Sequence, residues 1–170
     1  MPTKPGPPSR TRPLPPGSLA PDFLLPCSPE ERLSLSALRG NPVILVFYAA
    51  DWSRVCGDEL ALFNEARPEF ARRGAVLLGI SVDGTWCHAE YARQHRLDFP
   101  LLSDFEPKGE VARSYGVYRA AGGVADRALF VIDGVGIIHW RQVAPIGVNP
   151  GAGAVLEALD QLPGGAGAHP

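Results

Sequence analysis

Hydrophobic residues fall in short blocks separated by glycine, proline and charge. Val43-Ile44-Leu45-Val46-Phe47-Tyr48 is unbroken and rich in β-branched and aromatic residues, the pattern of a strand buried on both faces. From Cys56 to Arg73 the spacing changes. Leu60, Leu62, Phe63, Ala66 and Phe70 recur at helical intervals, Pro68 is expected to kink the helix, and Gly74 ends it. Ala75 to Val82 is a second buried strand. Strand, helix and strand of this length form a βαβ unit, which makes the two strands parallel.

The same reading extends to the rest of the chain. Ala20 to Leu25 is extended, Arg32 to Leu35 is a short strand, and Ser36 to Gly40 is one helical turn closed by glycine. Trp86 to His95 is the next helix, Phe99 to Leu102 a short strand, and Lys108 to Tyr115 a helix stopped by Gly116. Arg127 to Ile132 is a strand that turns at Asp133-Gly134 and pairs with Gly136 to Trp140 as a hairpin. Ala152 to Leu162 is the closing helix. A parallel βαβ unit followed by an antiparallel hairpin and a last helix is the thioredoxin-like α/β pattern, a central mixed β-sheet flanked by helices. Residues 1–17 hold seven prolines and little to bury, and are expected to form a flexible arm. Residues 163–170 are expected to fray as a Gly/Ala-rich tail, leaving 18–162 as the folded domain.

Composition narrows the classes. The 170 residues are 45% hydrophobic and 20% charged, with a net charge of -2, which fits one soluble globular domain. No basic patch suggests nucleic acid or an anionic membrane surface. The longest apolar run falls far short of the roughly 20 residues that span a bilayer. With no apolar signal region near the N-terminus, a cytoplasmic location is expected. Cys27, Cys56 and Cys87 are odd in number and widely spaced, so they form neither a secreted disulfide framework nor a recognisable zinc site.

The chemistry lies where the first buried strand gives way to the first long helix, at Trp52-Ser53-Arg54-Val55-Cys56. A cysteine in the first turn of a helix meets unpaired backbone N–H groups and the positive dipole end, which favour a thiolate. The thiolate is the nucleophile. The run is similar to a thioredoxin Trp-Cys-x-x-Cys motif whose first cysteine has become Ser53, so it cannot work as a local dithiol. Several separated segments agree on a more specific resemblance. They are Ala20-Pro-Asp-Phe23, Phe47 to Cys56 with Glu59, Gly79-Ile-Ser-Val-Asp83, Phe99-Pro-Leu-Leu-Ser-Asp104 and Arg127-Ala-Leu-Phe-Val-Ile-Asp133.

On these residues the chain resembles a peroxiredoxin of the alkyl hydroperoxide reductase/thiol-specific antioxidant family. It looks most like the bacterioferritin-comigratory and alkyl hydroperoxide reductase E branches, over about residues 19–162. The resemblance implies a cysteine-based peroxidase that needs no metal, haem or flavin. Cys56 would attack hydrogen peroxide or an alkyl hydroperoxide and become a sulfenic acid. Ser53 would hydrogen-bond the peroxide or the sulfur, with helix capping as its plainer role. Arg127 would stabilise the thiolate and donate to the peroxide oxygens. Glu59 would orient that arginine, or serve only as an acid favoured by the helix dipole. Two positions depart from the family pattern: Ala49 stands where a proline normally shields the cysteine, and Arg54 adds positive charge after Ser53.

Cys87 follows the second parallel strand as Cys56 follows the first, so both fall at the C-terminal edge of the sheet, where α/β folds place their sites. Cys87 is therefore a candidate to resolve the sulfenic acid within the same chain, given local unwinding to bring the sulfurs together. Cys27 reads as a loop or packing residue. The reductant would be thioredoxin or a low-molecular-weight thiol with a glutaredoxin-like partner, and the protein a monomer or homodimer. Two other readings remain at this stage: a thiol–disulfide oxidoreductase, and a peroxide sensor or docking module without turnover. Trp52, Trp86, Tyr115 and Tyr118 read as core and surface packing aromatics rather than as the lining of a substrate mouth or dimer face. His88 and His95, seven residues apart, read as a solvated helix face. Ala121-Gly122-Gly123 reads as a flexible loop.

Overall fold

A computed structural model describes residues 12–145 and 151–163. In chain order, β1 (Leu24–Pro26) and β2 (Arg32–Ser34) precede a 3-10 turn at Ser36–Leu38 and β3 (Val43–Phe47). Then come α1 (Arg54–Arg72), β4 (Val76–Ser81), α2 (Thr85–His95), β5 (Leu101–Ser103) and α3 (Glu110–Tyr115). β6 (Tyr118–Arg119), β7 (Val124–Ala125), β8 (Ala128–Ile132), β9 (Ile138–Val143) and α4 (Gly153–Asp160) complete the fold.

The unbroken apolar run is the central strand. The main sheet has the order β5-β4-β3-β8-β9. β3, β4 and β5 run parallel, and β8 and β9 pair antiparallel beside them. Side chains of β3 alternate between two cores. Val43, Leu45 and Phe47 pack with Val111, Ala112 and Tyr115 of α3. Ile44 and Val46 pack with Leu60, Phe63 and Phe70 of α1 and with Val155 and Leu159 of α4. A strand covered on both faces has no polar side, which is why its sequence shows no alternation. This is the mixed, helix-flanked thioredoxin-like sheet the sequence predicts.

The differences from expectation are local. α1 starts at Arg54, two residues before Cys56, and runs through Pro68 as one helix. Tyr118–Arg119 and Val124–Ala125 form a small hairpin around the stretch expected to be a loop. Leu14 is buried, and its N–H donates to the Tyr115 carbonyl at 3.1 Å. The Gly17 N–H donates to the Ile138 carbonyl at 2.7 Å. The fold thus takes up residues 12–17 of the expected arm, because one leucine among prolines provides an apolar anchor that proline content hides. The remainder of that arm, 1–11, and the tail 164–170 lie outside the described residues. Among the described residues no helix is long and apolar enough to cross a membrane.

Gly116 terminates α3 at φ 76, and a Cβ there would collide with the Arg12 carbonyl. Gly74 ends α1 at φ 69 with open space around it. Gly116→Ala is therefore expected to cost about 3 kcal/mol in a urea melt, against about 1 kcal/mol for Gly74→Ala. Equal losses would mean that residues 12–14 are not held against α3.

Candidate active site

The site is built by the turn that joins β3 to α1. Tyr48 continues the parallel ladder, its N–H donating to the Ile80 carbonyl at 3.1 Å. The chain then reverses through Trp52, which has φ 66, a costly conformation for a bulky residue. Contacts with α2 hold it: the Trp52 ring meets Tyr91 edge-on at 5.0 Å and His95 at 5.8 Å. Ser53 is the N-cap residue, extended at φ -67 and ψ 128. Its side chain makes no capping hydrogen bond, while its carbonyl accepts the Gly57 N–H at 2.8 Å. Cys56 is the third residue of the helix, only 2% exposed, and its thiol is free. Its N–H is among the first four of the helix, which have no partner within the helix.

Pairing across β3 and β8 brings the arginine to this turn. Phe47 lies opposite Ala128, so Arg127 sits just before β8, level with the end of β3. Cys56, Ser53, Val55, Ala49 and Arg127 line one cavity of about 180 Å³, together with Arg119, Asp126 and Ala144. Arg127 is 7% exposed and Glu59, one turn beyond Cys56, is fully buried. Arg127 Nη1 stands 3.8 Å from Glu59 Oε2, and Arg127 Nη2 donates to the Pro145 carbonyl at 2.7 Å. Among the described residues, Arg127 Nη1 and both Glu59 carboxylate oxygens make no hydrogen bond. Burial pushes the Glu59 carboxyl up to about 7, against the opposing pull of the Arg127 charge. Arg119 and Asp126 pair loosely at 3.9 Å. Neither was a candidate from sequence; Asp126, the immediate neighbour of Arg127, was the only pointer.

Cys87 does not line this cavity. It lies in the first turn of α2, where its sulfur and carboxylate oxygens of Asp51 and Asp83 are all within 4.8 Å of one another. The next residue corrects the expectation of a solvated histidine face. His88 is 3% exposed, with Nδ1 2.7 Å from Asp51 Oδ2 and Nε2 3.1 Å from the Leu102 carbonyl oxygen. His95, seven residues on, is exposed and stacks on Tyr91 at 4.3 Å. Helical spacing placed the two histidines on one side, but α2 packs its N-terminal turn into the sheet edge and leaves its C-terminal turn at the surface. Cys27 is half-buried against the α3-side core, with a free thiol.

A buried cysteine in the first turn of a helix, sharing a small cavity with a buried guanidinium on a thioredoxin-like sheet, defines a thiol peroxidase. Residues 16–141 match the AhpC/TSA family. The chain belongs to that family, the peroxiredoxins and alkyl hydroperoxide reductases. Alkyl hydroperoxide reductase E of Mycobacterium tuberculosis is 38% identical over 128 residues, covering 75% of this chain and 84% of the relative. A thioredoxin peroxidase of Echinococcus granulosus is 34% identical, covering 85% of this chain and 79% of the relative. The crystal structure of the peroxidoxin BcpB from Mycobacterium tuberculosis superposes with a TM-score of 0.77 at 33% identity, over 85% of this chain and 95% of that one.

The raised Glu59 carboxyl has a sign that can be checked. In the folded protein Glu59 keeps its proton up to about pH 7, whereas an unfolded glutamate loses it near 4.5. Between those values the folded state binds more protons, so this group's contribution to stability falls as pH rises and levels off above 7. Tm of Glu59→Gln relative to wild type is expected to climb by on the order of 5 °C between pH 4.5 and 8. A difference independent of pH would show that Glu59 is ionised throughout.

Proposed function

We propose that Cys56 is the residue of this peroxidase that attacks the hydroperoxide. Its thiolate displaces the O–O bond: a sulfur–oxygen bond forms, the oxygen–oxygen bond breaks, and the departing oxygen leaves with a proton as water or an alcohol. The observation that carries this reading is the shared cavity of Cys56 and Arg127, whose Nη1 makes no hydrogen bond among the described residues. Arg127 stabilises charge on the sulfur and on the peroxide oxygens. Glu59 lies behind the arginine and positions it. Ser53 supplies a hydroxyl at the cavity wall. Ala49 leaves that wall without the proline expected there.

Cys87 is the thiol that closes a disulfide with the Cys56 sulfenic acid. The two thiols flank one turn: Cys87 neighbours Asp51 and Trp52, and Cys56 follows four residues later. The reductant is a thiol; the similarity to a thioredoxin peroxidase favours thioredoxin over a low-molecular-weight thiol with a glutaredoxin-like partner. The protein acts in the cytoplasm, as a monomer or homodimer. A general thiol–disulfide oxidoreductase is not favoured, since Ser53 stands where a dithiol motif needs its attacking cysteine.

Stopped-flow consumption of one equivalent of hydrogen peroxide tests the first step. Cys56→Ser is expected to abolish it, and Arg127→Lys to slow it on the order of 100-fold. Unchanged consumption by Cys56→Ser would remove Cys56 from the chemistry. For the second step, intact mass is decisive: wild type should lose two hydrogens, while Cys87→Ser should keep a trappable sulfenic acid on Cys56.

A further inference from the structure

The two thiols sit in surroundings of opposite charge. Cys56 shares its cavity with Arg127, whereas Cys87 lies beside the carboxylates of Asp51 and Asp83. Burial first, then the hydrogen bond to Asp51 and the nearby negative charges, push the Cys87 thiol up. Such a thiol keeps its proton and resists direct oxidation. Attack on another sulfur needs the thiolate, so the proton must go somewhere when Cys87 reacts.

Asp51 is placed to take it. Its side chain is buried, with Oδ1 accepting the Tyr48 hydroxyl at 2.7 Å and Oδ2 facing His88 Nδ1 at 2.7 Å. The Leu102 carbonyl near His88 Nε2 can only accept, so Nε2 carries a hydrogen. Asp83 is tied differently: its Oδ2 accepts the Ser81 hydroxyl at 2.5 Å and the Asp51 backbone N–H at 2.8 Å. It fixes the backbone of Asp51.

We infer that Asp51 is the proton acceptor for Cys87 in disulfide closure, with Tyr48, His88 and Asp83 as positioning residues. The inference rests on the reading of Cys87 as the resolving thiol. In the step, the Cys87 S–H bond breaks and its proton passes to the Asp51 carboxylate. The Cys87 sulfur bonds to the Cys56 sulfur as the S–O bond of the sulfenic acid breaks. Hydroxide leaves and takes the proton back from Asp51, departing as water. The Cys87 sulfur is oxidised and the Cys56 sulfur reduced, so no further reagent is consumed.

Two rates separate a base from a mere electrostatic neighbour. One is closure, followed by quenched intact mass after one equivalent of hydrogen peroxide. The other is iodoacetamide alkylation of Cys87, measured on the reduced protein in a Cys56→Ser background. Asp51→Asn is expected to speed alkylation, because a negative charge beside the thiol is gone, and yet to slow closure on the order of 100-fold at pH 7. If both rates rise, or closure is unchanged, Asp51 is not the acceptor. If wild type itself never loses two hydrogens, the resolving role of Cys87 fails and the inference falls with it. Should far-UV circular dichroism show that Asp51→Asn does not fold, Asp83→Asn decides. Faster alkylation with closure slowed less than about five-fold supports Asp51; closure slowed 100-fold would make Asp83 the acceptor instead.

Discussion

The site depends on the register between β3 and β8. Phe47 opposite Ala128 puts Arg127 beside the turn that carries Cys56. A slip of one residue would turn the arginine to the other face of the sheet. Alternation of side chains does not hold this register, because β3 and β8 are buried on both faces. The far end of the pairing holds it. The Gly40 N–H donates to the Gly134 carbonyl at 2.8 Å, and the two glycines approach so closely that a Cβ on Gly134 would sit 3.1 Å from the Gly40 carbonyl carbon. Asp133 fixes the turn beyond, accepting the N–H groups of Val135 and Ile137 at 3.0 and 2.9 Å.

The same register buries a charge at a cost. A guanidinium and a carboxyl taken from water lose hydration that their mutual attraction repays only with good geometry. At 3.8 Å, without a hydrogen bond, Arg127 and Glu59 do not have that geometry. The raised Glu59 carboxyl is the visible sign of the imbalance. A protonated Glu59 does not cancel the charge of the arginine, which lines the cavity with Cys56. In the proposed reaction, what the pair loses in stability goes into an electrostatic field fixed before any peroxide enters.

Fold and reactive centre were readable in sequence to different depths. The βαβ unit was plain because a doubly buried strand leaves a solid apolar block and an amphipathic helix leaves a 3.6-residue period. Cys56 was visible because strand, turn and helix start together mark the position of a reactive thiol. Arg127 and Glu59 came from family resemblance; no periodicity marks a buried ion that meets its partner across 68 residues of chain. The Tyr48–Asp51–His88 network was missed for a related reason. A histidine on an amphipathic helix carries the same local signal whether it faces solvent or a buried carboxylate. Here the decisive partners, Asp51 and the Leu102 carbonyl, come from two other segments. Leu14 was lost within a proline-rich composition that reads as disorder when averaged.

One turn serves both thiols, and this ties their chemistry together mechanically. Asp51 and Trp52 lie against Cys87, while Ser53 opens the helix that carries Cys56. Between them Trp52 holds a left-handed backbone at φ 66, a conformation that costs about 1–3 kcal/mol. Its ring is held by Tyr91 and His95, which belong to the same helix as Cys87. Closing the proposed disulfide would disturb the first turn of α1 or α2, and with it the contacts that keep Trp52 strained. Release of that strain would favour closure. The strained backbone at Trp52 thus lies in the turn that the proposed disulfide between Cys56 and Cys87 would draw together.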